Sequence, residues 1–236
     1  EVIESYEQDF LKLKASGWDY PSPVQLRNVS SQGETEIQAK EIPERLSSGA
    51  EFMAKQILDY NKPVYVLIWG SITDLAQAIY YYPEIKPLIR VYSIGSWTTQ
   101  QDQKSRDYLW NNHPDFWWIE NNTTFRGMYM GGNQDNPWGN ISFVETYVKD
   151  FGAMGKLFFE KKPDIKMGDT PSVLYLLNGN PENPEGESWG GSFIKNSDRQ
   201  TYWTDRQDLE LIENNRAGAK SVNRYRLEYL EDWKAR

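Results

Sequence analysis

Aromatic side chains at three places in this chain could stack on the faces of sugar rings. Trp69 and Trp97 each follow an apolar run, and Trp189 lies in a glycine-rich turn. The ends of buried strands and glycine-rich turns are positions from which a side chain can line a ligand pocket. The chain holds ten tryptophans and fifteen tyrosines, and flat aromatic faces pack well on apolar C–H groups. We therefore take these three tryptophans as candidates for carbohydrate binding, with packing in the core as the alternative for each.

Three carboxylates stand at the starts of predicted helices. Asp74 follows Ser71 with the spacing of a capping box, and Asp102 and Asp169 each precede a run suited to a helix. A carboxylate at such a position either accepts hydrogen bonds from the helix N-terminus or binds a ligand. Asp74 and Asp102 are candidates for substrate binding on this ground, with helix capping as the alternative.

A long polar stretch carries the one arginine among the candidates. Residues 121–140 are rich in glycine and asparagine, and a loop of that length in a compact domain is usually functional or mobile. Arg126 lies within it. Its guanidinium could clamp an anionic or hydroxyl-rich ligand, or it could remain solvated.

A repeated strand and helix pattern over residues 63–119 must position these side chains. The predicted strands cover residues 64–69, 88–94 and 116–119. The first is an apolar run ended by Gly70, and small and apolar residues from Leu75 onward then favour a helix. Such alternation predicts an α/β fold with a mostly parallel sheet and helices on both faces. Its ligand crevice should lie at the carboxyl ends of the strands, around Trp69 to Thr73.

Length and charge narrow the class of protein. The 236 residues suit one α/β domain spanning 1–236, and the formal net charge of −8 argues against a nucleic-acid partner. Apolar runs reach only about six residues, too short to span a membrane. The chain starts at Glu1 inside a helical pattern, which indicates a processed, truncated or partly observed chain. We expect one or more N-terminal strands to be missing from it. A homo-oligomer is compatible with the sequence.

Several segments together resemble a known family. They are residues 48–51 (SGAE), 68–76 (IWGSITDLA), 101–102 (QD), 168–176 (GDTPSVLYL), 188–193 (SWGGSF) and 223–226 (NRYR). In this order they resemble bacterial nucleoside-hydrolase-like domains of the cellulose-binding-protein type, which are distantly similar to inosine–uridine nucleoside hydrolases. The resemblance implies the nucleoside-hydrolase fold and a secreted or periplasmic bacterial protein.

The resemblance also implies a metal site. In nucleoside hydrolases, calcium is held by an N-terminal aspartate cluster, a threonine main-chain carbonyl and a late aspartate, and it positions the water that attacks the anomeric carbon. Thr73 matches the carbonyl position and Asp169 the late aspartate. The aspartate cluster, which carries the general base, has no counterpart in this chain, so we expect the 236 residues alone to be inactive.

Other departures from the family concern the substrate. Gly168 stands where many nucleoside hydrolases have a histidine, and His113 is best explained as a structural surface residue. The residues that grip the ribose have no equivalent in 95–101. Two functions therefore remain open: hydrolysis of an N-glycosidic bond, or non-catalytic binding of a glucan such as cellulose. The expected partner is a carbohydrate or a nucleoside-like small molecule.

Overall fold

One mixed sheet forms the centre of the molecule. The computed structural model describes residues 1–37, 42–44 and 46–236. Its strands are β1 (Val64–Ile68), β2 (Ile89–Ile94), β3 (Trp118–Asn121), β4 (Phe193–Lys195) and β5 (Tyr202–Asp205). They are ordered β1-β2-β3-β5-β4, and only β4 runs antiparallel to its neighbour. The predicted α/β class with a mostly parallel sheet is confirmed.

Helices connect and cover these strands. The α-helices are α1 (Val2–Ala15), α2 (Pro23–Asn28), α3 (Ser48–Tyr60), α4 (Thr73–Tyr81), α5 (Gly95–Gln101), α6 (Gln103–Asn112), α7 (Asn140–Tyr147), α8 (Gly152–Lys161), α9 (Thr170–Leu177), α10 (Lys220–Asn223) and α11 (Arg226–Ala235). Short 3-10 helices occupy Ile42–Glu44, Pro83–Leu88, Thr124–Met128 and Leu209–Leu211. Each helix that the structure describes is too short or too polar to span a lipid bilayer.

The sheet is packed on both faces. Along β2, Ile89 and Val91 contribute to one apolar cluster, whereas Tyr92 and Ile94 contribute to another on the opposite face. Helices α3, α4 and α6 close the first cluster, and α9 helps to close the second. A strand covered on both sides must be apolar at nearly every position, which explains why β1 and β2 are readable as continuous apolar runs.

The strands β4 and β5 lie outside the elements that the sequence predicts. They are three and four residues long, and neither contains a sustained apolar run. Nevertheless β5 pairs in parallel with β3, with Ile119 opposite Trp203. The C-terminal part of the chain thus contributes an interior strand, which ends at Asp205.

The structure also differs from the sequence predictions at two places. Residues 95–101 are polar and follow the second predicted strand, and the helix α5 that they form was not predicted. A Cβ at Gly95 would lie 2.3 Å from Glu120 Cγ, so glycine permits the close approach of β3 at this point. The third strand begins at Trp118 instead of residue 116.

Candidate binding site at the strand ends

A pocket opens where β1, β2 and β3 end. Trp69 directly follows β1, Ile94 ends β2, and Phe125 follows β3 after three residues. The cavity has a volume of about 460 Å³, which is within the range of small-molecule sites. Its lining consists of Trp69, Ile94, Ser96, Trp97, Gln100, Phe125, Arg126, Tyr129, Lys166, Gly168 and Asp169. It lies at the edge of the sheet where parallel strands favour a ligand crevice.

A smaller cavity adjoins this pocket. It measures about 320 Å³ and shares four lining residues with the larger one, Trp69, Lys166, Gly168 and Asp169. Its remaining lining comes from Lys162, Met167, Thr170 and Val173. The shared residues therefore mark the junction of a two-part site.

Trp69 is held at this junction by its single polar atom. Its indole Nε1 donates a hydrogen bond to Ser172 Oγ at 2.8 Å, and Ser172 Oγ in turn donates to the carbonyl of Asp169 at 2.7 Å. Ser172 is fully buried in the first turn of α9. The ring is 48% exposed, and Trp97, on α5, is 49% exposed. Both tryptophans thus offer a free surface inside the pocket, and that of Trp69 is held in position by its hydrogen bond.

Asp169 presents a carboxylate whose hydrogen-bonding capacity is free. It occupies the N-cap position of α9, but its side chain makes no capping hydrogen bond, so the capping alternative is wrong. Within residues 1–37, 42–44 and 46–236, no group donates a hydrogen bond or an ion pair to it. Burial raises the pKa of this carboxyl above its usual value. Because half-buried carboxylates are normally partnered, this one is available to a ligand.

Arg126 and Ser96 are held together on the other side of the larger cavity. Arg126 Nη1 donates to the carbonyl of Asn122 at 2.9 Å, and Ser96 Oγ donates to the same oxygen at 3.0 Å. The guanidinium carbon lies 4.4 Å from the centroid of the Phe125 ring. No acidic partner of Arg126 lies in the described part of the chain. The arginine is therefore positioned but only partly satisfied.

Asp205 fixes the segment that carries Arg126. Its carboxylate accepts three main-chain N–H groups, from Asn122 at 2.9 Å, Thr123 at 3.0 Å and Thr124 at 2.7 Å. Asp205 is buried at the end of β5. The interior strand that the sequence did not reveal is therefore the element that anchors one wall of the pocket.

Steric crowding explains why glycine occupies position 168, where many nucleoside hydrolases have a histidine. A Cβ there would lie 2.9 Å from Phe125 Cδ2, so any side chain would displace the Phe125 ring. Phe125 is itself buried and lines the pocket. His113 lies elsewhere, at the end of α6, where its ring packs edge-on against Tyr108. Its structural role was predicted.

Two of the predicted site residues bind each other instead of lining the pocket. Thr73 Oγ1 donates to Asp102 Oδ2 at 2.5 Å, and Asp102 Oδ1 accepts the main-chain N–H of Ser105 at 3.1 Å. Both side chains are buried, and neither lines either cavity. Asp102 therefore caps α6, the alternative to substrate binding. Thr73 begins α4, and its expected role as a carbonyl ligand stays a prediction.

Asp74 and Trp189 are placed at other parts of the molecule. Asp74 does not form the predicted capping box: its carboxylate accepts the N–H of Glu34 at 2.9 Å and the hydroxyl of Ser47 at 2.5 Å. Trp189 donates from Nε1 to Glu228 at 3.1 Å and packs on the apolar cluster around α7 and α11. Neither residue lines the cavities. Of the predicted set, the structure brings together Trp69, Trp97, Arg126 and Asp169.

Four lining residues carry no signal strong enough for prediction. Lys166 lies in a loop of mixed polarity, and Phe125, Tyr129 and Gln100 resemble ordinary core or surface residues. The nearness of Lys166 to the Gly168–Asp169 pair is the only sequence feature that could have drawn attention to it.

The donor set at the pocket does not fit calcium. Calcium takes six to eight oxygen ligands, usually with several carboxylates. Among the residues that the structure describes, Asp169 is the sole carboxylate of the cavity lining, and Arg126 and Lys166 share that lining. The part of the chain that the structure describes contains no group of three acidic or histidine side chains suited to a metal ion. The calcium site stays a prediction, and we derive no chemistry through it.

The fold and the pocket together define an α/β protein with a small-molecule site at the ends of its parallel strands. Residues 1–193 match the family described as "Cellulose-binding Sde182, nucleoside hydrolase-like domain". The chain belongs to this family. The predicted resemblance is confirmed, and the match ends at the first residue of β4.

Two further comparisons concern solved structures and curated proteins. Among solved structures, the chain is similar to an inosine-uridine preferring nucleoside hydrolase from Bacillus anthracis, with 14% sequence identity and a TM-score of 0.48. That match covers 86% of this chain and 68% of the hydrolase. A search among curated proteins found no match.

Proposed function

We propose that this chain binds a carbohydrate in the pocket at the strand ends, without cleaving it. The observation that carries this proposal is the pairing of two half-exposed tryptophans, Trp69 and Trp97, in one cavity with polar side chains. Aromatic faces cover the C–H faces of a sugar, while polar groups bind its hydroxyls. Arg126 supplies donors and Asp169 supplies acceptors for such hydroxyls.

The ligand that fits best is a β-linked glucan. The family description names cellulose binding, which supports a glucan over a nucleoside. The adjoining cavities of about 460 and 320 Å³ also suit more than one sugar unit, because they meet at Trp69 and Asp169. A ligand that spans the junction would contact both tryptophans.

Binding without catalysis is favoured by what the pocket contains. Glycosidases that act without a metal generally use two carboxyl groups on opposite sides of the scissile bond. Within the described part of the chain, this cavity has Asp169 as its only carboxylate, and its lining includes no histidine. The described pocket therefore holds groups that recognise hydroxyls but lacks a pair for acid and base steps.

A binding assay with matched tryptophan variants tests this proposal. Wild type should be retained on microcrystalline cellulose and should bind cellotetraose by calorimetry. Trp69→Ala and Trp97→Ala should each weaken cellotetraose binding about tenfold or more, which corresponds to roughly 1.4 kcal/mol. Trp18→Ala is the control, because Trp18 is 54% exposed and lies outside both cavities. Trp189→Ala should also bind like wild type.

Two outcomes would contradict the proposal. The first is a wild-type protein that binds neither cellulose nor cellotetraose. The second is equal loss of binding in Trp69→Ala and Trp18→Ala, since binding would then not depend on the pocket. Thermal unfolding of each variant separates lost binding from lost folding.

A second candidate function, hydrolysis of a glycosidic bond, is favoured by one observation. The carboxyl of Asp169 is without a described partner and has a raised pKa, as a general acid requires. In that case wild type should release reducing sugar or free base, with and without millimolar calcium, and Asp169→Asn should not. Release would fall as the pH rises through the raised pKa of Asp169. Export from a bacterial cell stays a prediction.

A further inference from the structure

We propose that the pocket prefers an acidic saccharide, one whose sugar carries a carboxylate, over its neutral counterpart. This inference rests on the proposed function and names the class of sugar that the same site selects. It starts from two cationic side chains, Arg126 and Lys166, that line one cavity.

Neither cation forms an ion pair within the described residues, although the charge of Lys166 acts on nearby Asp164. Elsewhere the basic side chains commonly form ion pairs: Arg106 pairs with Glu120 at 2.7 Å, and Lys162, which lines the smaller cavity, pairs with Asp164 at 3.1 Å. Arg126 gives one hydrogen bond, to a carbonyl, and no ion pair of Lys166 is present among the residues described. In a chain with a formal net charge of −8, two such cations in one concave site are unusual.

The carboxylate of Asp169 does not neutralise them. Burial raises the pKa of this carboxyl, and no ion pair joins it to either cation within the described residues. Asp169 and Lys166 both lie at the junction of the two cavities, whereas Arg126 lines only the larger one. Arg126 therefore forms a cationic end of the larger cavity that is separate from the acceptor group Asp169.

The shape of the cationic end suits a carboxylate. A guanidinium presents its N–H donors in a planar fork that matches the two oxygens of a carboxylate. Nη1 of Arg126 is engaged with the Asn122 carbonyl, which fixes the side chain and leaves other donors free. The hydroxyl of Ser96 is tied to the same carbonyl and lies beside it. A uronate residue would place its carboxylate here and its ring against Trp97, while a neighbouring sugar reaches Trp69.

The test compares two ligands of equal length and linkage. Calorimetry at low salt measures the affinity of the wild type for cellotetraose and for the β-1,4-linked glucuronate tetramer obtained by oxidation at C6. The acidic tetramer should bind about tenfold more tightly, as expected for one added charge-assisted contact. Arg126→Gln should weaken binding of the acidic tetramer more than binding of the neutral tetramer, and so abolish this preference. Salt should reduce the preference in wild type.

Two variants serve as controls. Lys55→Gln removes one positive charge from an exposed site on α3, where Lys55 pairs with Glu51 at 2.6 Å, and it should leave the preference unchanged. Trp69→Ala should weaken both ligands alike. Lys166→Gln should reduce the preference less than Arg126→Gln, because Lys166 is exposed.

The outcomes distinguish this inference from the function on which it rests. Equal affinity for the two tetramers would overturn the acidic preference and leave carbohydrate binding intact. A preference that persists in Arg126→Gln and Lys166→Gln would also overturn it. Failure of both tetramers to bind wild type would contradict the proposed function, and this inference with it.

Discussion

Two arginines show how differently the same side chain is used in the pocket and in the protein interior. Arg226 is 1% exposed and donates to four acceptors in residues 128–140, at 2.8 to 2.9 Å. Arg126 lines the pocket and donates to one carbonyl, that of Asn122. The buried guanidinium is satisfied by the protein, and the pocket guanidinium is not.

Two carboxylates repeat the contrast. Asp205, buried at the end of β5, accepts hydrogen bonds from three main-chain N–H groups. Asp169, in the pocket, accepts none from the described residues. Buried polar groups are nearly always hydrogen-bonded, so exceptions call for an explanation. The explanation we favour is that the polar groups of Arg226 and Asp205 stabilise the fold, whereas those of Arg126 and Asp169 are available to bind a ligand.

The largest expected effect is on the buried arginine. Arg226→Met leaves several buried carbonyls without donors, each of which costs about 1–3 kcal/mol. We expect the free energy of unfolding to fall by about 3 kcal/mol or more, and Tm to fall by roughly 6–12 °C. Chemical and thermal denaturation measure this. Arg224→Met, an exposed neighbour, is the control, and a variant at Arg226 as stable as this control would contradict a supporting role.

Removal of the Asp205 carboxylate should have the next largest effect. Asp205→Ala deprives three N–H groups of their acceptor, and we expect a loss of about 2 kcal/mol in the free energy of unfolding. Because these groups precede Phe125 and Arg126, ligand affinity should fall as well. Asp208→Ala, at a half-exposed ion pair nearby, should change stability by less than about 0.5 kcal/mol. Equal stability of the two variants would show that Asp205 does not anchor this segment.

The pocket arginine should behave in the opposite way to the buried one. Arg126→Met removes one hydrogen bond from a half-buried side chain, so we expect the free energy of unfolding to change by about 1 kcal/mol or less. Chemical denaturation of Arg126→Met and Arg226→Met under the same conditions compares their free energies of unfolding directly. A loss as large as that of Arg226→Met would end the distinction between the two regions.

The smallest effect concerns Asp169 and has a defined pH dependence. Burial raises its folded pKa above 3.8, so folding favours the protonated form. Stability is therefore lost as the pH rises from 3.8 through the raised value, and the charged carboxylate remains unfavourable at neutral pH. Asp169→Asn should be more stable than wild type at about pH 7, and the gain should vanish near about pH 3. Thermal unfolding at the two pH values measures this, and a destabilised variant at neutral pH would refute it.

The central sheet could be predicted because burial on both faces forces continuous apolar runs, as in β1 and β2. The interior strand β5 could not, because its four residues show neither a run nor a clear alternation. Helix α5 was missed for a related reason: its sequence, GSWTTQQ, is polar and its start depends on Gly95 fitting against β3. Such elements are determined by tertiary contacts and leave little local signal.

Candidate site residues were predictable only as far as strand ends could locate them. Trp69 and Trp97 lie in the pocket because both follow parallel strands at the same edge of the sheet. Asp102 instead lies between α5 and α6, and its side chain turns to Thr73 and the start of α6. Sequence spacing locates a residue along the sheet edge, whereas the choice between a ligand and a neighbouring N–H depends on contacts that only the folded chain shows.

Indole resonances test the carbohydrate pocket most directly. With ¹⁵N-labelled tryptophan, each of the ten indole N–H groups gives a signal that can be assigned by single Trp→Phe variants. During titration with cellotetraose, the signals of Trp69 and Trp97 should shift together in a saturable manner, while those of Trp189 and the buried Trp118 stay in place. If saturating sugar leaves Trp69 and Trp97 unmoved, or moves only Trp189, the pocket at the strand ends is not where this protein binds carbohydrate.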